Sequence, residues 1–328
     1  MTPKASPETT SAAAQGYLAT TLGPLSLKNP LLAASGCFGY GEEAAAFVDP
    51  GAYGAIIGKS ISVLPRRGNP IPRMCETASG MLNSIGLQNP GIDAFIESYL
   101  PRMRKYDTVL VVNLVGDTID EYVSMAERLQ SEPGVGALEL NISCPNCPVG
   151  GMEFGVSPQA TELLVRKVRD VFRGPIIAKL TPNVTDITPI CRAAEAGGAD
   201  ALAVANTFVG MAIDWRRRRP KLGGVTGGLS GPAIKPLALR LVWLAASAAS
   251  LPVIGVGGIQ DAEDVLEFLV AGASAVQLGT LHFVDPRAVL KILADLERLA
   301  REAGVSRIRD VVGTLKTERK AITILGDG

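Results

Sequence analysis

The stretch PVIGVGGIQDAEDVLEFLVAGASAVQLGT, residues 252–280, reads as strand, helix, strand. PVIGVGG (252–258) is a short apolar run that closes on two glycines. The segment 261–271 carries its apolar side chains at the spacing of an amphipathic helix, and AVQLGT (275–280) is a second apolar run. Both runs are continuous rather than alternating. That marks strands buried on two faces, as in a parallel sheet whose crossovers are helices.

The same unit recurs toward the N-terminus. Strand-like runs are LLAASG (31–36), AIIGKS (55–60), TVLVVNLVG (108–116), ALELNIS (137–143), PIIAKLTPN (175–183) and ALAVANT (201–207). Amphipathic helical segments lie at about 91–105, 118–130, 158–172, 186–197 and 233–249, and another follows the last strand at 286–302. The first crossover, about 42–54, is short. Eight strands with helical crossovers predict an α/β protein, a (β/α)8 TIM barrel over residues 17–305. Residues 1–16 read as a disordered tail and 306–328 as a C-terminal extension.

Two features fall outside the repeat. YLATTLGPLSLKNP (17–30) alternates around Gly23-Pro24, which predicts an N-terminal β-hairpin able to plug the bottom of the barrel. Long loops follow strand 2 (62–91) and strand 6 (208–232). Active sites of this fold are built from the loops after the strands, so the chemistry is expected there.

Bulk composition narrows the function. Of 328 residues, 47% are hydrophobic and 20% charged, and Lys+Arg equals Asp+Glu at 32 each. Without a net basic field, neither nucleic acid nor an anionic membrane is an expected partner. The basic run WRRRRP (215–220) reads as a solvated loop. The apolar stretch 241–259 is interrupted by Pro252 and glycines, and fits a buried helix and strand better than a membrane span. Five scattered cysteines and no export signal indicate a cytoplasmic protein.

The strand ends carry the polar residues. Gly257 and Gly258 end strand 7, and Gly279 and Thr280 end strand 8, the two places where barrels commonly hold a phosphate on backbone N–H groups. Lys59 and Ser60 close strand 2, and Lys179 is embedded in IIAKL. A charge among residues that want burial needs a partner. An anion or an electron-rich ring is expected at these lysines, with an ion pair to Glu139 as the alternative. Asn83, Asn113, Asn141 and Asn206 both donate and accept, which suits an amide-rich ring such as a pyrimidine or a flavin.

Cys144 and Cys147 stand in a C-x-x-C spacing after strand 4. Pro145 and the glycines at 150–151 argue against the helix N-terminus that a redox pair uses. A metal centre needs about four ligands, and the other cysteines and the single histidine, His282, lie on distant elements. No metal is expected. Cys144 reads as a lone acid–base thiol, because cationic neighbours readily lower a thiol pKa.

The motifs GKS (58–60), NSIGLQNPG (83–91), NISCPN (141–146), NTFVGMAID (206–214), TGGLSGPAIKP (226–236) and GVGGI (255–259) make the chain resemble the dihydroorotate dehydrogenases of pyrimidine biosynthesis, from about residue 17 to 305. The resemblance implies an FMN-binding catalytic domain that oxidises dihydroorotate to orotate. It implies that Cys144 takes the C5 proton while hydride leaves C6 for the flavin, and that Cys147 is a bystander. It assigns the pyrimidine to Lys59, Asn83, Ser84, Ile85, Gly86, Leu87, Asn141, Asn206 and Thr207. It assigns the flavin to Ser35, Lys59, Ser60, Asn113, Asn141, Lys179, Ala205 and Gly231, and its phosphate to the two glycine-ended loops.

Quinone-linked members carry serine at the base position and an extra N-terminal helix, neither of which is present here. TGGLSGPAIKP and NISCPN with GGMEFG after it are most similar to the NAD-linked class, 1B. That class implies a homodimer of this chain within a heterotetramer, with FAD and a [2Fe–2S] cluster on the partner subunit. The chain itself has no cluster-type cysteine set and no G-x-G-x-x-G unit. The alternatives are a fumarate-linked class 1A enzyme, another flavin barrel acting on a dihydropyrimidine, a barrel isomerase of sugar phosphates, and a non-catalytic flavin-binding subunit.

Overall fold

The computed structural model describes residues 16–143 and 154–317. Cys144, Cys147, all but the last residue of the N-terminal tail, and residues 318–328 of the C-terminal extension lie outside the described residues.

Eight strands form one closed parallel barrel: β1 (Leu31–Ala33), β2 (Ala55–Ile57), β3 (Val109–Leu114), β4 (Ala137–Asn141), β5 (Ile176–Lys179), β6 (Ala201–Val204), β7 (Val253–Val256) and β8 (Ala273–Leu278). They neighbour one another in chain order, and β8 closes on β1 with Gln277 opposite Leu32. The expected eight-stranded barrel is therefore the fold. The continuous apolar runs arise because one face of each strand meets the helices and the other fills the barrel.

Inside the barrel, the strand period of two sorts residues into layers. Ala55, Ala137, Ala201, Ala203 and Ala275 are small, and they share an interior cluster with Leu22, Leu25 and Leu27. These three leucines come from the expected hairpin, Thr20–Leu22 paired with Leu25–Leu27, and fill the volume that the alanines leave. One step further along the strands the inward positions turn polar. On β4 the inward series is Ala137, Glu139, Asn141, and on β5 it is Ile177, Lys179. The barrel is thus apolar at its base and polar toward the mouth.

The helices pack outside and bury a separate, larger core. Thr118, Ser157 and Asp261 cap the helices Ile119–Gln130, Pro158–Val171 and Ala262–Val270 by accepting backbone N–H bonds. The segment expected as one helix over 91–105 differs. It consists of α-helical turns at Ile92–Ala94 and Leu100–Met103 around a π-helical stretch, Phe95–Tyr99. Pro101 has no N–H to continue the ladder, and its ring crowds the carbonyl one turn back, which loosens the helix there.

The two long loops also hold more order than their Pro/Gly content suggested. They combine into a four-stranded antiparallel sheet, with Phe208–Gly210, Gly227–Ser230, Gly80–Asn83 and Met74–Thr77 in that order. Gly80 lets the strands approach: a Cβ there would sit 2.1 Å from the carbonyl oxygen of Ser230. The WRRRRP run lies on an exposed hairpin between Ile213–Asp214 and Arg219–Pro220. Arg216 stacks over Trp215, in keeping with a solvated loop. No helix among the described residues is long and apolar enough to cross a membrane.

Candidate active site

The barrel mouth and the four-stranded sheet above it enclose a cavity of about 990 Å³. It lies within the usual range of roughly 300–1,000 Å³ for small-molecule sites. All described residues that the sequence assigned to the flavin, its phosphate or the pyrimidine line it, whereas Glu139 lies beneath it. Cys144 lies outside the described residues, and its chain neighbour Ser143 lines the cavity.

The floor is a hydrogen-bonded group of four buried side chains from β3, β4, β5 and β8. Asn113 donates through Nδ2 to Glu139 Oε1 at 2.6 Å, and Gln277 donates through Nε2 to Glu139 Oε2 at 2.5 Å. Lys179 donates to Gln277 Oε1 at 3.1 Å and lies 3.5 Å from Glu139 Oε1. The ion pair between Lys179 and Glu139 is thus the alternative expected from the sequence, and it is present. Lys179 nonetheless lines the cavity, so the pair leaves it a face toward a ligand. Asn113 Oδ1 is buried with no partner among the described residues.

Beside the floor, Asn141, Ser143 and Asn206 form a chain. Ser143 donates from Oγ to Asn141 Oδ1 at 2.7 Å, and Asn206 donates from Nδ2 to Ser143 Oγ at 2.6 Å. Thr207 donates its backbone N–H to Asn206 Oδ1. The loop 83–87 forms the opposite wall, where Gly86 and Leu87 both have positive φ, 74° and 56°. Leucine is rarely left-handed, and such conformations persist where the surroundings hold them. Here Asn89 holds them, donating to the Leu87 carbonyl and accepting from Ser62 and Gly91 N–H groups. Asn83 donates to the Gly228 carbonyl, tying this wall to the loop after β6.

Lys59 sits at the end of β2, next to Ser60, with Ser35 donating to the Gly58 carbonyl beneath it. Burial pulls the Lys59 pKa below the ordinary lysine value; Glu43 opposes this and Arg73 adds to it. At the far end, Gly231, Gly257, Gly258, Gly279 and Thr280 gather, and Thr280 bonds to Ser230 between hydroxyls at 2.8 Å. Gly258 rests on the first residue of the helix Lys235–Ala248, since a Cβ there would lie 2.6 Å from the Lys235 nitrogen. The Lys235 ammonium is held by Asp264 and Glu267, so this end offers glycine backbone and a hydroxyl rather than that charge. Ala205 lines the wall between this end and Asn206.

Sequence reading missed Gln277, Ser143 and Cys37. Gln277 had a signal, as a lone polar residue within the apolar run AVQLGT. Ser143 had none beyond standing two residues after Asn141. Cys37 lines the cavity with a thiol that burial pushes up to about 11, in spite of Lys179 nearby.

A closed parallel barrel with a lysine-bearing polar floor, an asparagine wall and a glycine-rich end around one cavity at its mouth has the architecture of a barrel enzyme with a small-molecule site. The sequence profile of the dihydroorotate dehydrogenase family matches residues 17–299, and the chain belongs to that family of oxidoreductases. Its relatives include proteins named dihydroorotate dehydrogenase B (NAD(+)), catalytic subunit. The one from Desulforudis audaxviator is 50% identical over 295 residues, 90% of this chain and 96% of that protein. That from Geobacter sulfurreducens is 50% identical over 299 residues (91% and 98%), and that from Geobacillus kaustophilus 51% over 296 (90% and 95%).

Proposed function

We propose that this chain oxidises dihydroorotate to orotate in pyrimidine biosynthesis, as the FMN-binding catalytic subunit of an NAD-linked enzyme. The observation that carries the reading is the polar floor within a cavity large enough for a cofactor and a substrate together. FMN fits the residues present. The buried Asn113 Oδ1, without a partner among the described residues, calls for an N–H donor, which a flavin ring has and a sugar phosphate lacks. Lys179 supplies positive charge beside it, and the glycine cradle with Thr280 suits the phosphate.

In this reading Ser35, Lys59, Ser60, Asn113, Asn141, Lys179, Ala205 and Gly231 hold the flavin, and Gly257, Gly258, Gly279 and Thr280 its phosphate. Residues 83–87, Asn206 and Thr207 hold the pyrimidine, with Lys59 and Asn141 shared between both ligands. Cys144, directly after Ser143 in the chain, takes the C5 proton. Bound FMN supplies the acceptor for the hydride from C6. The Asn141–Ser143–Asn206 chain fixes the amides that face the ring, so their orientation is set before substrate arrives.

Residues 17–305 form the catalytic domain, between a tail (1–16) and an extension (306–328). The names of the relatives speak of a catalytic subunit and of NAD(+). On that basis a homodimer of this chain works in the cytoplasm with a partner subunit bearing FAD and a [2Fe–2S] cluster. The test is simple. The purified chain should be yellow, release FMN on denaturation, and reduce an artificial dye only when dihydroorotate is added. A colourless chain that cannot be loaded with FMN contradicts the reading.

A further inference from the structure

We infer that Glu139 is a positioning residue and charge counterweight for the flavin site, acting through Asn113, Gln277 and Lys179. The inference rests on the flavin reading above. Glu139 is fully buried, at 0% exposure, and does not itself line the cavity, whereas its three partners do. It can act on a ligand only through them.

The carboxylate sets both amides. A carboxylate accepts hydrogen bonds and donates none, so each amide bonded to it must turn its NH₂ inward. Asn113 therefore presents Oδ1, its acceptor, and that atom has no partner among the described residues. Gln277 likewise presents Oε1, which receives the Lys179 ammonium. One buried anion thus fixes an acceptor for a ring N–H on one side and the place of a cation on the other. Its net charge matters as well. A flavin ring carries extra negative charge after hydride uptake, which Lys179 favours. Glu139, at 3.5 Å from that ammonium, offsets part of the attraction. Without it the bound flavin would hold its electrons more tightly and pass them on less readily. Burying a carboxylate is costly, and apolar residues would fill the position at less expense, so its presence indicates specification rather than stability.

The test compares the parent chain with Glu139→Gln and Glu139→Asp, each freed of flavin and reloaded with FMN. The midpoint potential is measured by equilibration with reference dyes, and FMN affinity by quenching of flavin fluorescence. Glu139→Gln removes the charge and lets either neighbouring amide flip. It should shift the potential positive, equivalent to roughly a tenfold or larger gain in affinity for reduced over oxidised FMN. Glu139→Asp keeps the charge but shortens the reach, so it should bind oxidised FMN more weakly and keep the parent's ratio within about threefold. An unchanged ratio in Glu139→Gln, the same shift in both variants, or failure of both to bind FMN overturns the counterweight role. A parent chain that takes up no FMN overturns the functional reading itself, and this inference with it.

Discussion

Lys59 and Lys179 share the cavity but not their surroundings. Lys179 is tied to Gln277 and Glu139, whereas Lys59 makes no ion pair among the described residues and feels Glu43 only at longer range. Burial lowers the Lys59 pKa, so in the ligand-free enzyme it loses its proton at a lower pH than an ordinary lysine, near 10.5. The charged form binds an anionic substrate and the neutral form does not. The KM for dihydroorotate should therefore rise with pH as the solution passes through that lowered value. Lys59→Arg, charged throughout, should lose this rise. A KM that stays level in the parent through the whole lysine titration range, or a rise that Lys59→Arg retains, would count against Lys59 as a substrate ligand. Cys144 admits a sharper test, by stopped-flow and steady-state assay. Cys144→Ala should keep FMN and lose turnover by about 10² to 10⁴, the usual range for a general base. Cys144→Ser should keep some activity, moved to higher pH because a hydroxyl deprotonates less readily. Cys147→Ala should be nearly silent, and equal loss in both alanine variants would return a paired-cysteine role to favour.

The hairpin at residues 20–27 plugs the bottom of the barrel with leucines, beneath a layer of alanines. Leu27 is fully buried there, so Leu27→Ala should destabilise the fold by about 2–5 kcal/mol in urea denaturation. The flavin spectrum should be unchanged, because the plug lies at the end of the barrel away from the cavity. These elements were legible in the sequence for a physical reason. Barrel strands and the hairpin are local patterns, and the need to bury two faces or one is written in consecutive residues. The four-stranded sheet over the mouth was not legible, since Gly80–Asn83 pairs with Gly227–Ser230 far along the chain. Both strands are only four residues long and mostly of intermediate burial, so neither shows a period of its own. The same contrast holds in the site. Lysines and asparagines inside apolar runs stood out, and so in principle did Gln277, but the Asn141–Ser143–Asn206 chain depends on contacts between strands. The break in the helix after Gly91 does have a local sign, because Pro101 lacks the N–H that a continuous ladder over 91–105 would need.

At the scale of the whole molecule, the proposed reading puts substrate and flavin in the barrel's cavity of about 990 Å³, and electrons must then leave the chain. It has no G-x-G-x-x-G unit, and among the described residues no group of three or more His, Cys, Asp or Glu is placed to hold a metal. The isolated chain should therefore pass electrons from dihydroorotate to artificial dyes but form no NADH. NADH formation should appear only with the partner subunit. Rapid NADH production by the chain alone, or fumarate reduction as fast as dihydroorotate oxidation, would contradict the two-subunit arrangement. The central claim, that this cavity brings dihydroorotate to a bound flavin, is tested most directly by anaerobic titration. The FMN-loaded chain, followed by its absorbance near 450 nm, should bleach fully with about one equivalent of dihydroorotate per flavin and yield one orotate. A flavin that stays oxidised with excess dihydroorotate, yet bleaches with NADPH and is reoxidised by uracil, would contradict it.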